Sequence, residues 1–182
     1  TWTDRSSGLG IAQIYKIGQS ATEKDLVING YQDNGTAVYD GDWRTEIGGD
    51  GMECVIDHDD SNYQYGALYY GDVRRSTNNG VNFSQIAANG TNGINESGAW
   101  VTPYALHETD ANTMFIGYQN IWRSTNVKAS SSSSVSWTKI TNVNTSIRVV
   151  EPSPANTDML YFVTSGILYR IDDVMAASPT TI

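Results

Sequence analysis

Apolar residues along this chain come in short runs with strand-like alternation, and no window carries the i, i+3, i+4 spacing of a long amphipathic helix. In the clearest stretch, residues 52–57, 65–70, 73–76 and 83–86 read as four strands. His58-Asp59-Asp60-Ser61-Asn62 separates the first two, as polar side chains that bond their own backbone, and Gly71-Asp72 makes a hairpin turn. The order recurs downstream. Strands are predicted at 100–107, 114–118, 121–124 and 136–140, with Asp110-Ala111-Asn112 as the first turn. A last unit offers 147–151, 159–164 and 167–171 around the turn Ser153-Pro154-Ala155-Asn156. It then runs into Ala176-Ala177-Ser178-Pro179, so its fourth strand is expected to be missing or divergent.

Fixed positions mark the repeat. Arg75, Arg123 and Arg170 each close a strand-like stretch, at intervals of 48 and 47 residues, and their recurrence makes them structural. Aromatic residues Trp2, Trp43, Phe83 and Trp137 open the last strand of successive units, the final interval being stretched by a loop containing Ser130 to Ser134. Four short strands per unit of about 40–50 residues is the signature of a β-propeller blade. The predicted fold is therefore all-β, a propeller of four-stranded antiparallel blades with about three to four present. Approximate units are 1–10 as the end of a preceding blade, 11–48, 49–90, 98–142 and 146–182. Trp2-Thr3-Asp4-Arg5 reads as a lone fourth strand. The expectation is a piece of a longer propeller, or a ring whose remainder comes from another chain or a second copy.

A net charge of −9 repels phosphate backbones and anionic headgroups, so neither nucleic acid nor a membrane surface is expected as a partner. No segment approaches the roughly 18 apolar residues of a membrane span. Cys54 is the single cysteine; its strand-like flanks make it a buried structural thiol and exclude a disulfide framework. The crowded oxygens of residues 57–62 suggest calcium, but the loop lacks the glycine and terminal glutamate of an EF-hand, and its counterparts are plain turns. His58 and His107 read as equivalent repeat positions without metal partners. No metal and no cofactor is expected.

Ser76-Thr77-Asn78-Asn79-Gly80-Val81-Asn82-Phe83 resembles the Asp-box of bacterial sialidase repeats, Ser-x-Asp-x-Gly-x-x-Trp, with Asn78 for the Asp and Phe83 for the Trp. That resemblance implies a hairpin in which the Asx side chain ties the turn and the aromatic packs between blades. Trp43 and Trp137 look like the equivalent aromatic in units whose turns have drifted. The stretches Gly8-Leu9-Gly10-Ile11, Gly30-Tyr31-Gln32-Asp33-Asn34-Gly35-Thr36 and Gly48-Gly49-Asp50-Gly51 resemble large secreted propeller proteins of the Bacteroidetes type, grouped with sortilin-like and xyloglucanase-like propellers. This second resemblance implies a secreted or cell-surface multidomain protein.

Candidate chemistry concentrates in the first half of the chain. Asp33, Asp50 and Glu53 are the carboxylates near predicted channel-side strand ends, and a glycosidase needs two across a cleft. Tyr31, Gln32, Asp33, Asn34 and Asp50 are candidate ligand contacts at a channel mouth. Against this, Asp33-Asn34-Gly35 is a hairpin turn in its own right, and Asp50 among glycines suits a capping role. Ser76, Asn78, Gly80, Phe83, Arg75, Arg123 and Trp137 carry the repeat. Tyr31, Tyr39, Tyr63, Tyr65, Tyr69, Tyr70, Tyr104 and Tyr118 offer sugar-stacking surfaces or simply the faces of half-buried strands. The reading is a non-catalytic scaffold for recognition or adhesion, with a glycan or protein ligand. A glycoside hydrolase and an interaction module in a secretion or motility assembly are its alternatives.

Overall fold

A computed structural model describes residues 2–3 and 11–182. The proposed lone strand at 2–5 and the glycine segment at 8–10 reach outside the described residues. Among the described residues, sixteen strands form four antiparallel four-stranded sheets, each in simple sequence order. Blade one comprises β1 (Ile14–Gln19), β2 (Val27–Tyr31), β3 (Gly35–Asp40) and β4 (Asp42–Ile47). Blade two comprises β5 (Cys54–Ile56), β6 (Gln64–Leu68), β7 (Asp72–Ser76) and β8 (Ser84–Ala87). Blade three comprises β9 (Tyr104–Leu106), β10 (Met114–Gly117), β11 (Ile121–Ser124) and β12 (Thr138–Lys139). Blade four comprises β13 (Val149–Pro152), β14 (Leu160–Val163), β15 (Leu168–Asp172) and β16 (Thr180–Thr181).

Two expectations are corrected. The last unit does have its fourth strand: Thr180 and Thr181 pair with Asp172 and Ile171, and Arg170 and Ile182 exchange both backbone bonds. Two threonines at a sheet edge need no apolar alternation, because main-chain bonds define the strand. The register also sets Ile56 opposite Gln64 and Leu106 opposite Met114, so His107 corresponds to Asp57 and not to His58. At that shared position Asp57 caps the amides of Asp59 and Asp60 and pairs with Lys128 Nζ at 2.6 Å, while His107 Nε2 meets the Thr157 carbonyl at 3.0 Å. Each therefore ties its blade to the next. Among the described residues, no three His, Cys, Asp or Glu gather to hold a metal, and no helix is long and apolar enough to cross a membrane.

Apolar side chains alternate across each sheet, so every blade has one face for its predecessor and one for its successor. Leu26, Ile28 and Val38 meet Cys54, Ile56 and the half-buried Phe83 between blades one and two. Met52, Tyr65 and Ile86 meet Tyr104, Met114 and Trp137 between blades two and three. Phe115 and Ile121 meet Val150, Leu160, Phe162 and Ile171 between blades three and four. Burial of each such side chain contributes about 1.5–3 kcal/mol, so the blade interfaces carry much of the stability.

The repeated arginines explain themselves in this frame. Arg75, Arg123 and Arg170 stand opposite Tyr65, Phe115 and Tyr161 in the same register. Arg75 Nη1 donates to the Val127 carbonyl and, at 2.8 Å, to that of Ala129, both in the loop before β12. Arg123 Nη1 donates to Val174 at 2.5 Å and Ala176 at 2.9 Å, in the loop before β16. Arg170 instead pairs with Asp172 on its own strand, at 2.8 and 2.9 Å.

Polar turn chemistry also repeats. Ser76 Oγ accepts from the amides of Asn78 and Gly80, and Asn78 Oδ1 accepts from the Asn82 amide at 3.0 Å. Ser124 Oγ likewise accepts from the Asn126 amide, but the Lys128 amide goes to Asn112 Oδ1 at 2.8 Å and Asn126 Oδ1 reaches the Ser136 amide at 2.9 Å across the inserted serine loop. A turn that has drifted in sequence thus keeps its Ser and Asn bonds but not the second amide on the serine.

Candidate functional site

The first strands of the four blades, β1, β5, β9 and β13, surround a cavity of 660 Å³. Lys16 and Glu53 cross it from neighbouring blades with Nζ and Oε1 2.8 Å apart. Burial pushes the Glu53 carboxyl up, Lys16 opposes that rise, and Glu151 on β13 adds to it. The hydrogen bond to Glu53 raises Lys16 in turn. Beside them the Cys54 thiol faces the carbonyls of Ile28 and Lys16 at 3.3 and 3.5 Å, and burial pushes it up to about 12, which makes it an inert structural thiol. Glu151 carries no sequence signal of its own; it lines the same cavity as Glu53 from β13.

Asp33 and Asp50 are brought together, at a different place. Asp33 has a φ of 60° and Gly35 one of 74°, while Asn34 between them is not left-handed, so Gln32 to Asn34 form a three-residue loop between the paired Tyr31 and Gly35 and not a two-residue Asn-Gly turn. Asp50 Oδ1 accepts the Asp33 amide at 2.7 Å, and Gly51 donates to the Tyr31 carbonyl at 2.9 Å. Asn34 Nδ2 returns to the Gln32 carbonyl at 2.9 Å. One carboxylate thus clamps the turn carrying the other. Gln32, Asp33 and Asn34 line a small cleft with Ile11, Ala12 and Gln13, whereas Glu53 lines the central cavity. Tyr31 presents its ring edge to Trp43, with centroids 6.3 Å apart.

The equivalent place between blades two and three is aromatic. The turn Tyr69–Gly71 joins β6 to β7, and Trp100 lies in the connection from β8 to β9. The Tyr69 ring stacks on Trp100 at 5.1 Å and 8°, while Tyr70 stands edge-on to Trp100 at 5.5 Å and 84°. All three rings are exposed, at 40%, 53% and 44% for Tyr69, Tyr70 and Trp100. The backbone fixes them: Tyr70 donates to the Trp100 carbonyl at 3.3 Å, and Gly98 donates to that of Tyr70 at 3.2 Å. Tyr70 sits at a φ of 61°, a conformation that costs a bulky residue energy and that the surrounding bonds must hold. The Tyr118 hydroxyl locks the turn from blade three by donating to the Gly71 carbonyl at 2.7 Å.

Polar groups continue that surface. Glu96 accepts from the amides of Gln119 and Asn120, from Asn120 Nδ2 and from Trp122 Nε1, and Gln119 Nε2 reaches the Ser97 carbonyl at 3.3 Å. Rings and amides therefore form one rigid patch from the ends of blades two and three. Sequence reading assigned Tyr69 and Tyr70 to a strand and Trp100 to the start of another, but the second strand starts only at Tyr104. The available signal was Tyr69-Tyr70-Gly71, where two aromatics run into a turn glycine and break alternation.

Solved structures share this architecture at low identity. The GH74 xyloglucanase from Xanthomonas campestris superposes with a TM-score of 0.68 at 15% identity, over 93% of this chain and 30% of that one. The GH74 enzyme of Niastella koreensis gives 0.66 at 15%, over 92% and 30%. The chain's fold is a β-propeller. The computationally designed Ika4 protein matches over 90% of this chain and 92% of its own, with a TM-score of 0.59 at 12% identity. The propeller described here spans less than a third of the length of the two GH74 enzymes. No family model and no curated protein matches the sequence.

Proposed function

We propose that this propeller is a non-catalytic recognition scaffold of a secreted or cell-surface protein, and that its ligand is a glycan held on the Tyr69, Tyr70 and Trp100 rings. The carrying observation is that platform: three exposed rings, one stacked pair and one edge-on, set by backbone bonds and a strained tyrosine. Rings fixed before binding lose little entropy on meeting a sugar face, and Gln119 alongside supplies a polar group for hydroxyls. Xyloglucan is the first polysaccharide to try, since a fold neighbour is named as a xyloglucanase. In the same reading the Ser76 to Phe83 hairpin is an Asp-box whose Asx role is taken by Asn78, as its bond to the Asn82 amide supports.

Titration calorimetry with xyloglucan oligosaccharides tests this. Trp100→Ala is expected to weaken binding at least tenfold, the equivalent of about 1.4 kcal/mol, with the melting temperature nearly unchanged. Affinity within twofold of the parent chain would remove the platform from the proposal.

Hydrolysis is the second reading, favoured by the raised, partly buried Glu53 carboxyl with Glu151 nearby in the central cavity. It predicts release of reducing ends from a polysaccharide, lost in Glu53→Gln. No release from xyloglucan and related β-glucans, or release that survives Glu53→Gln, counts against it. The Lys16 ion pair already gives Glu53 a structural role, which is why recognition is placed first.

A further inference from the structure

Arg75 is a buried cation that has no counter-ion among the described residues. It is 4% exposed, and its two hydrogen bonds both leave from Nη1 for the Val127 and Ala129 carbonyls, which bring dipoles but no charge. Its Nε has no partner. Arg44, Arg74 and Arg170 each meet a carboxylate on their own strand, whereas no described aspartate or glutamate pairs with Arg75. Burial lowers the guanidinium from its ordinary value, and the phenols of Tyr65 and Tyr63 oppose the fall. A charge withdrawn from water in this way favours an anion that can reach it.

Arg75 lines a cavity of 340 Å³ between the β7–β8 hairpin and the serine loop before β12. The hairpin contributes Thr77, Asn78 and Ser84, and the loop contributes Ser130 and Ser132, whose hydroxyls and amides can donate to an oxyanion. Ser84 stands directly opposite Arg75 in the strand register. No carboxylate lines this cavity among the described residues. The loop is fixed before any ligand arrives: Asn92 Nδ2 donates to the Ser132 carbonyl at 2.9 Å, and Asn126 Nδ2 to that of Ser134 at 3.0 Å. The insertion that stretches the last repeat interval thus builds one wall. Arg123 holds the same register position, but the segment it reaches is Val174-Met175-Ala176, without the serines.

We propose that Arg75, Ser84 and the serine loop form a binding site for a small oxyanion, either free sulfate or a sulfate ester on a sugar. The site lies where β7 ends, whereas the Tyr69–Gly71 turn leads into the start of β7, so it is separate from the aromatic platform. The net charge of −9 narrows the ligand. A polysulfated chain is repelled at long range, while a single anionic group gains the local guanidinium and hydroxyl contacts.

Titration of isotope-labelled protein with sodium sulfate, followed by NMR at an ionic strength held constant with sodium chloride, tests it. The Arg75 Nε–H signal and the Ser130 and Ser132 amides are expected to shift saturably, while the Arg123 Nε–H signal stays in place. A glucose sulfate monoester should shift the same signals: tighter binding than inorganic sulfate assigns the site to an esterified sugar, and equal or weaker binding assigns it to the free ion. Ser84→Asp sets a carboxylate opposite Arg75 without removing its bonds to the two carbonyls. It should weaken sulfate binding about tenfold or more, with unchanged circular dichroism. Shifts that never saturate overturn the proposal, as does equal movement of the Arg123 signal or a Ser84→Asp variant that binds sulfate as the parent chain does.

Discussion

Trp137→Ala is expected to lower the unfolding free energy by about 3–5 kcal/mol, the range for truncating a buried aromatic. Its ring lies in the cluster between blades two and three, and its indole N–H satisfies the Ile86 carbonyl at 2.9 Å. Truncation opens a cavity and orphans that carbonyl together. Trp137→Phe, which installs the residue found at the equivalent position 83, should cost only about 1–2 kcal/mol, because the apolar filling mostly survives and one hydrogen bond is lost. Urea unfolding followed by circular dichroism measures both. Equal losses for the two variants would mean that the indole does not fill the blade interface.

Arg75→Met should destabilise by about 2–3 kcal/mol, since hydrogen bonds from a charged donor are worth about 1.5–3 kcal/mol and two carbonyls lose theirs. Burial already lowers the Arg75 guanidinium from its ordinary value, so the contact is made at a desolvation cost that the Val127 and Ala129 carbonyls offset. Loss of this joint should also loosen the coupling of blades two and three, broadening the urea transition as neighbouring units in an array unfold more independently. Arg74→Met is the control. Arg74 pairs only with Asp72 beside it on the partly exposed face and should cost less than about 0.5 kcal/mol. If both variants behave alike, the arginine repeat is not an inter-blade device.

The parts of this fold that announced themselves were those written in period. Arg75, Arg123 and Arg170 recur at near-equal intervals, and the aromatics Phe83 and Trp137 each stand one residue before the fourth strand of their blade. What the arginines bind was not legible, because backbone carbonyls some 50 residues away have no side-chain signature. The same limit hid β16, which two threonines build by main-chain bonds. Among the site residues, the Asp33 turn was readable from Asp-Asn-Gly; that Asp50 spends an oxygen on the Asp33 amide was not. Glu53 was named, but its partner Lys16 lies in another blade, and Glu151 in a third. Trp100 was misplaced for a different reason: residues 100–107 read as one apolar strand, while the bonds among Tyr70, Gly98 and Trp100 fold the first part into a loop.

A crystal structure of the chain soaked with a xyloglucan oligosaccharide tests glycan recognition most directly. The account predicts sugar density against the Trp100 and Tyr70 rings within reach of Gln119, with the central cavity around Glu53 unoccupied. Sugar spanning Glu53 and Glu151, with the aromatic platform bare, would contradict it.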